Sequence, residues 1–293
     1  MSALRLAWMR AEAPYMPIAT LGLIDVLRRH EPEVSAVWSD ALTVNTKLSV
    51  QDVAELVAQA PLPNVDRVAW PTRHPQALGP SLETTPDPLA TYRELLASAD
   101  APERRLLLGV ATEQVIGENR IPTRTRLLRG AKSDLSAFKT LRAVKPDLLV
   151  EELRLGPRFD AGKSGELLGL APEVQTFGGT TGREPSSIGA SSPLLARLLR
   201  HGILSLPPVG VLRNGRRVVG GPLVNERFEL SWPIWTVECG VSELRVIFAW
   251  EEVHAETPRQ AVLAVRGVEA VYRASLQKIS TTVEVFRWGR RVT

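Results

Sequence analysis

Eight basic side chains lie between Arg120 and Lys145: Arg120, Arg124, Arg126, Arg129, Lys132, Lys139, Arg142 and Lys145, against one acid, Asp134. The window is net +7 in a chain of net +4, so the rest of the chain is net acidic. Localised basicity is the electrostatic footprint of a polyanion site, because Lys and Arg displace counterions from phosphates. A solvated helix face followed by a loop is the alternative account. Spacing divides the window in two. From Arg120 to Arg129, arginines alternate with other residues around Pro122, which predicts an extended arm. After Gly130, Ser133 is placed to cap a helix through about Val144 that buries Leu135, Phe138 and Leu141. Lys139, Arg142 and Lys145 near the end of that helix also complement its dipole. No such structural role accounts for the four arginines before Gly130, Arg120, Arg124, Arg126 and Arg129.

A second anion candidate is the run Phe177-Gly178-Gly179-Thr180-Thr181-Gly182-Arg183. Small residues let the backbone approach a phosphate or a DNA groove, and Arg183 supplies charge. A plain surface loop is the competing reading. Gly162-Lys163-Ser164 resembles the end of a phosphate-binding P-loop, but that loop needs glycine at position 157 and Pro157 stands there without an amide donor. A third basic group, Arg213, Arg216 and Arg217, flanks Asn214-Gly215. No Gly-x-Ser-x-Gly elbow is present, and the four histidines lack the close spacing of zinc ligands. Glu251-Glu252 with His254 is the nearest approach to a catalytic set, and adjacent glutamates of this kind are expected to face solvent. Neither a catalytic residue nor a metal or cofactor is expected. Most tryptophans sit in apolar runs and read as core. Trp288, beside Arg287, Arg290 and Arg291, is the one set among basic residues as single-stranded nucleic acid would require.

The elements that must position these residues follow from periodicity and turn chemistry. Leu4–Trp8 reads as a strand and Tyr15–His30 as a helix with Ile18, Leu21, Ile24 and Leu27 on one face. Ala36–Trp38 and Leu42–Val44 form a small hairpin, and Ser49 caps a helix reaching Ala60. Residues 61–86 are expected to be a long surface loop. Asp87-Pro88 opens a helix burying Leu89, Tyr92, Leu95 and Leu96. Leu106–Val110 is a strand or a buried helix, and Leu148–Leu155 a strand or a short helix. Residues 156–192 read as loop, and Ser192-Pro193 opens a leucine-rich helix. Val209–Arg213 and Arg216–Val219 around Asn214-Gly215 are the clearest hairpin in the chain. Phe228–Val237 is one strand or two, interrupted by Pro233. Thr257-Pro258 is expected to cap a helix carrying Val262, Val265, Val268 and Tyr272, and Ile279–Trp288 a final strand.

These elements predict an α+β fold of short mixed sheets with packed helices in two lobes. Residues 1–150 form the N-terminal lobe with the basic arm 120–145. Residues 151–293 form the C-terminal lobe with the glycine-rich loop, the hairpin and a terminal helix and strand. With 293 residues and 44% hydrophobic content the chain can bury a substantial core. The single cysteine, Cys239, excludes an internal disulfide and fits a reducing cytoplasm. No apolar run reaches the length of a membrane span, and Arg10 and Glu12 interrupt the N-terminus too early for a signal peptide. A cytoplasmic protein is the expectation.

Three stretches together resemble the large-subunit family of subtype I-G (formerly I-U) CRISPR-Cas effector complexes. Tyr15 through Leu27, with Leu21-Gly22-Leu23 at its centre and a Trp-containing strand after it at Trp38, is similar to the family's opening helix. Arg124 through Lys139 resembles its apolar run, turn and Phe-bearing helix, although Ala131 and Lys132 stand where Gln is usual. Leu194 to Val209, followed by Phe228 to Trp235, resembles its leucine-rich helix and Trp-Pro strand. The chain ends soon after Val285, without the long helical extension that large subunits often carry. The resemblance implies a non-catalytic subunit of a Cascade-like ribonucleoprotein that contacts the protospacer-adjacent motif in double-stranded target DNA and stabilises the opened strands. Guide RNA, neighbouring subunits and a recruited nuclease-helicase are the partners it implies, and base pairing by the guide reads the sequence. On that view Arg124, Arg126, Arg129 and Lys132 contact phosphates, the loop from Gly178 to Arg183 lies nearest the motif, and Arg213, Arg216 and Arg217 hold the displaced strand. Two other classes remain open: a stand-alone enzyme or binding protein for a phosphorylated metabolite using residues 156–184, and a structural assembly subunit whose basic window meets guide RNA.

Overall fold

The computed structural model describes residues 2–62, 81–83, 87–111, 113, 120–122, 143–158, 192–206, 209–213, 216–220, 229–278 and 284–293. The fold is α+β. Strands β1 (Ser2–Leu6), β2 (Ser35–Trp38) and β3 (Leu42–Thr46) make an antiparallel sheet in the order β1-β3-β2. Ala36, Trp38, Leu42, Val44 and Thr46 point inward in strict alternation, as a sheet with one solvated face requires.

Helix α1 (Met16–Leu27) lies behind this sheet, and all twelve of its residues are buried. A helix whose residues are apolar on nearly every side belongs in the middle of a protein rather than on its surface. Helices α2 (Val50–Gln59), α3 (Pro88–Ser98), α4 (Ala101–Val110) and α5 (Pro146–Leu155) follow, and α6 (Pro193–Ser205) is again buried, from Leu194 to its end. Their starts obey local chemistry. Ser49 and Asp52 form a reciprocal capping box, Asp100 and Glu103 form another, and the Asp87 and Ser192 side chains accept from Ala90 and Leu195 amides. Residues 106–110 are thus helical, as are 148–155.

Helices α1 and α6 cross at two glycines. A Cβ on Gly22 would stand 1.9 Å from the Leu198 carbonyl oxygen, and one on Gly202 would stand 1.8 Å from that of Ile18. Only hydrogen at both positions lets the two backbones come this close. One contiguous core joins these helices to both sides of residue 150, running from Leu4 to Phe286.

The remaining strands begin with two short ladders, β4 (Ser81–Glu83) on β5 (Arg120–Pro122) and β6 (Val209–Arg213) on β7 (Arg216–Gly220). The last sheet is antiparallel and centred on β9 (Val268–Lys278). Strand β8 (Glu229–Trp235) pairs along one edge of it, and β10 (Glu284–Phe286) and β11 (Arg290–Arg291) pair along the other. Helices α7 (Val241–Ala249), α8 (Glu251–His254) and α9 (Gln260–Ala264) fill the connection from β8 to β9.

Four sequence expectations are corrected here. Pro233 does not interrupt β8: it faces Val271, whose N–H and C=O are bonded to Thr293 Oγ1 and the Val292 amide on the far edge, so no ladder bond is asked of the proline. Ser81–Glu83 is a strand rather than part of an unbroken loop. The helix after Thr257-Pro258 lasts only from Gln260 to Ala264. Gly267, at φ +68° and packed on the Val237 side chain, turns the chain into β9, leaving Val265 85% exposed. The final strand is two pieces, and Trp288 sits between them.

Indole N–H groups tie distant segments together. Trp8 donates to the Leu153 carbonyl at 2.9 Å, Trp232 to Ala11 at 2.9 Å and Trp235 to Ala36 at 3.0 Å. Each bond satisfies a polar atom that burial would otherwise strand.

Candidate nucleic-acid interface

Of the expected contact residues, Arg120, Arg213, Arg216 and Arg217 are described. Arg124, Arg126, Arg129, Lys132, Lys139, Arg142, Gly178, Gly179 and Arg183 lie outside the described residues, as does the helix expected from Ser133. The two ends of the basic window are nonetheless anchored. Arg120 opens β5 opposite Glu83, in a ladder that also pairs Leu82 with Ile121. At the other end Ala143, Val144 and Lys145 are not helical, which corrects the expected helix end. Pro146 disfavours the helical conformation in the residue before it, and Lys145 accordingly sits at φ −70°, ψ 132°.

The glycine-rich stretch is likewise held at both flanks, by one side chain. Glu152 on α5 is fully buried and accepts from the Arg158 amide at 2.9 Å, the Leu194 amide at 2.8 Å and the Ser192 hydroxyl at 3.1 Å. Burial raises its carboxyl pKa above the usual carboxylate range against these hydrogen bonds. Residues 158, 192 and 194 are therefore gathered around the same carboxylate.

In the β6–β7 hairpin, Arg213 stands directly across from Arg216 and Leu212 across from Arg217. Three arginine positions thus lie at the end of the ladder where β6 leads into β7.

The terminal strands place a fourth basic group. Trp288 is 39% exposed, and the Arg10 guanidinium lies 5.7 Å from its ring centroid. Arg10, Arg287, Arg290 and Arg291 are all exposed. Gly289 sets this geometry: its amide donates to the Glu12 carbonyl at 2.7 Å, and a Cβ there would meet the Trp232 ring at 2.4 Å. The chain is thereby pressed onto the core, and the indole of Trp288 is left outward. Arg10 was not legible as a member of this group, since it lies 278 positions away in the sequence.

The Glu251–Glu252–His254 set is otherwise engaged. Glu252 is buried rather than solvated: Arg259 donates to its carboxylate through its backbone amide, Nε and a terminal nitrogen at 2.7 Å. Those hydrogen bonds hold its pKa below the usual carboxylate range. His254 Nε2 lies 2.8 Å from the Phe248 carbonyl oxygen, and burial lowers its pKa. Among the described residues no three His, Cys, Asp or Glu side chains group as metal ligands.

One charged cluster had no sequence signature. Asp25, the only acid in α1, is buried and meets Arg28 at 2.9 Å, Arg29 at 3.4 Å and Arg105 of α4 in a close ion pair. Arg105 also donates to Ser205 Oγ at 3.1 Å and to the His201 carbonyl at 3.3 Å. Burial works against the Asp25 carboxylate, but Arg105, Arg28 and Arg29 outweigh it and hold the pKa below normal. His201 beneath them is pushed down to about 3, chiefly by burial and then by Arg105, so it stays neutral. No membrane-spanning helix occurs among the described residues. No known family model matches this chain, and no curated protein matches it.

Proposed function

We propose that this chain is a non-catalytic nucleic-acid-binding subunit of an RNA-guided antiviral complex, which engages double-stranded target DNA at the protospacer-adjacent motif and holds the strands once they part. The observation that carries this reading is the exposed Trp288 ring with Arg10 over it and Arg287, Arg290 and Arg291 beside it. Any base can stack on such a ring, at about 1–3 kcal/mol each, while the flanking guanidiniums meet phosphates. The arginine-tipped ribbon β6–β7 supports the same reading, since a two-stranded ribbon is narrow enough for the major groove. The basic window from Arg120 to Lys145 would add salt-dependent affinity without sequence preference. Sequence would be read by the guide RNA, which makes a guide-RNA-bound assembly and a recruited nuclease-helicase the natural partners.

The test is binding of labelled single-stranded and duplex DNA to the full chain at two salt concentrations. Trp288→Ala should weaken single-strand binding by about tenfold, as the loss of one stacked base requires. Replacing Arg213, Arg216 and Arg217 together by Ala should flatten the salt dependence, the log–log slope falling by about 0.9 for each phosphate that is no longer neutralised. The same is expected for Arg124, Arg126 and Arg129. Unchanged affinities and slopes in all three variants would sink the assignment.

A further inference from the structure

A concave site of about 620 Å³ opens between the C-terminal ends of α1 and α6 and the flanks of α4 and α7. Its lining includes Arg28, Arg104, Arg105 and Arg245, with Asp25 the one acid. Such a volume suits a drug-sized molecule rather than a lone water.

The charges do not balance. Four guanidiniums against one carboxylate leave +3. The ends of α1 and α6, each equivalent to roughly half a negative charge, reduce this to about +2. Gathering like charges in a half-buried concavity is unfavourable unless something offsets them. Three of the four arginines are already committed. Arg28 and Arg105 pair with Asp25, and Arg104 donates to the Leu96 and Ala99 carbonyls at 3.0 Å each, closing the end of α3. Arg245 is different: its Nε is buried and has no hydrogen-bond partner among the described residues. Burial, and then the neighbouring Arg28, push its pKa down against the attraction of Asp25. On the other wall stand Leu108, which is 51% exposed, Leu204 and Leu206.

The geometry points to a binding site for a phosphomonoester or diphosphate group, with Arg245 as its principal ligand and an apolar or aromatic moiety of the ligand against Leu108. Arg28, more exposed than Arg105 in its pairing with Asp25, turns a share of its donors to the same group. A phosphomonoester carries about −1.5 to −2 at neutral pH, which matches the residual charge where a monocarboxylate would not. Planar guanidiniums also fit phosphate oxygens two at a time. Two sources present this chemistry, a free nucleotide-sized phosphate compound and the phosphorylated end of a nucleic-acid strand. The site shares no residue with the Trp288 surface, so it stands or falls independently of the function proposed above.

Calorimetric titration of the full chain distinguishes the sources and tests the site. The probes are inorganic pyrophosphate, ADP, adenosine, and one oligonucleotide with either a 5′-phosphate or a 5′-hydroxyl. ADP and pyrophosphate should bind while adenosine does not. Arg245→Gln, and separately Arg28→Gln, should each weaken binding about tenfold to a hundredfold, as loss of a charge-assisted hydrogen bond dictates. If only the 5′-phosphorylated oligonucleotide shows this arginine dependence, the strand end is the source and the phosphate assignment stands. Trp288→Ala should leave the ADP and pyrophosphate affinities unchanged. Absence of binding by every phosphate-bearing probe, or binding equally strong in both arginine variants, would overturn the site.

Discussion

Gly202→Ala should cost this protein more than its size suggests. The new methyl carbon would lie 1.8 Å from the Ile18 carbonyl oxygen and 2.9 Å from Ile18 Cγ2. The obstructing atom is backbone in the first turn of a fully buried helix, so no rotamer change removes it. Helices α1 and α6 must instead separate by about 1.5 Å to restore ordinary contact, and a gap of even 0.5–1 Å forfeits roughly a quarter to a half of each dispersion well along the interface. Overpacking of this kind costs about 1–3 kcal/mol and at times more, while the better helix propensity of alanine returns about 1 kcal/mol. Because backbone atoms must move, the upper end of that range applies and the net loss is expected to be about 2 kcal/mol. Gly109→Ala is the matched control. The same propensity gain applies, but the nearest atom to its Cβ is Leu204 Cδ2 at 2.5 Å, the far end of a flexible side chain. Its net effect should be within about 1 kcal/mol of zero. Urea unfolding followed by fluorescence of the buried Trp232 and Trp235 reads both variants. A Gly202→Ala protein as stable as the parent, or two variants equally destabilised, would refute the argument from backbone contact.

Other outcomes follow from the buried charges. The folded pKa of Asp25 is depressed, so its contribution to stability is fully present above the unfolded value of about 3.9 and is lost as pH falls through the lower folded value. Asp25→Asn should cost about 3 kcal/mol at neutral pH, by leaving Arg105 buried without its partner, and should flatten the decline in stability below pH about 4. Identical pH profiles for the two proteins would contradict this account. Glu152→Gln replaces a carboxylate that accepts three hydrogen bonds with a group offering one acceptor oxygen, and should cost about 1–3 kcal/mol. Amide exchange at Arg158 and Leu194 should accelerate in that variant, and unaltered exchange at both would show that Glu152 does not hold them.

Local rules made much of this protein legible from its sequence. Ser49, Asp87-Pro88 and Ser192-Pro193 each settle a helix start through hydrogen bonds spanning a few residues, and the ladder from the Arg213–Arg216 pair to the Val209–Gly220 pair forms where the sequence places a hairpin. The apolar face of residues 18–27 was equally plain, as was Trp288 among adjacent arginines. Where the deciding partner is remote, the sequence is silent. Residues 81–83 become a strand only because 120–122 lie beside them, and Pro233 is tolerated because Val271 turns its polar groups to the C-terminus. Leu21-Gly22-Leu23 marks a helix, but only α6 passing over it explains the glycine. Arg28, Arg104, Arg105 and Arg245 are scattered over 218 positions and carry no shared pattern. Packing of four helices brings them to one concavity and leaves their charge unbalanced, which no count along the chain could reveal.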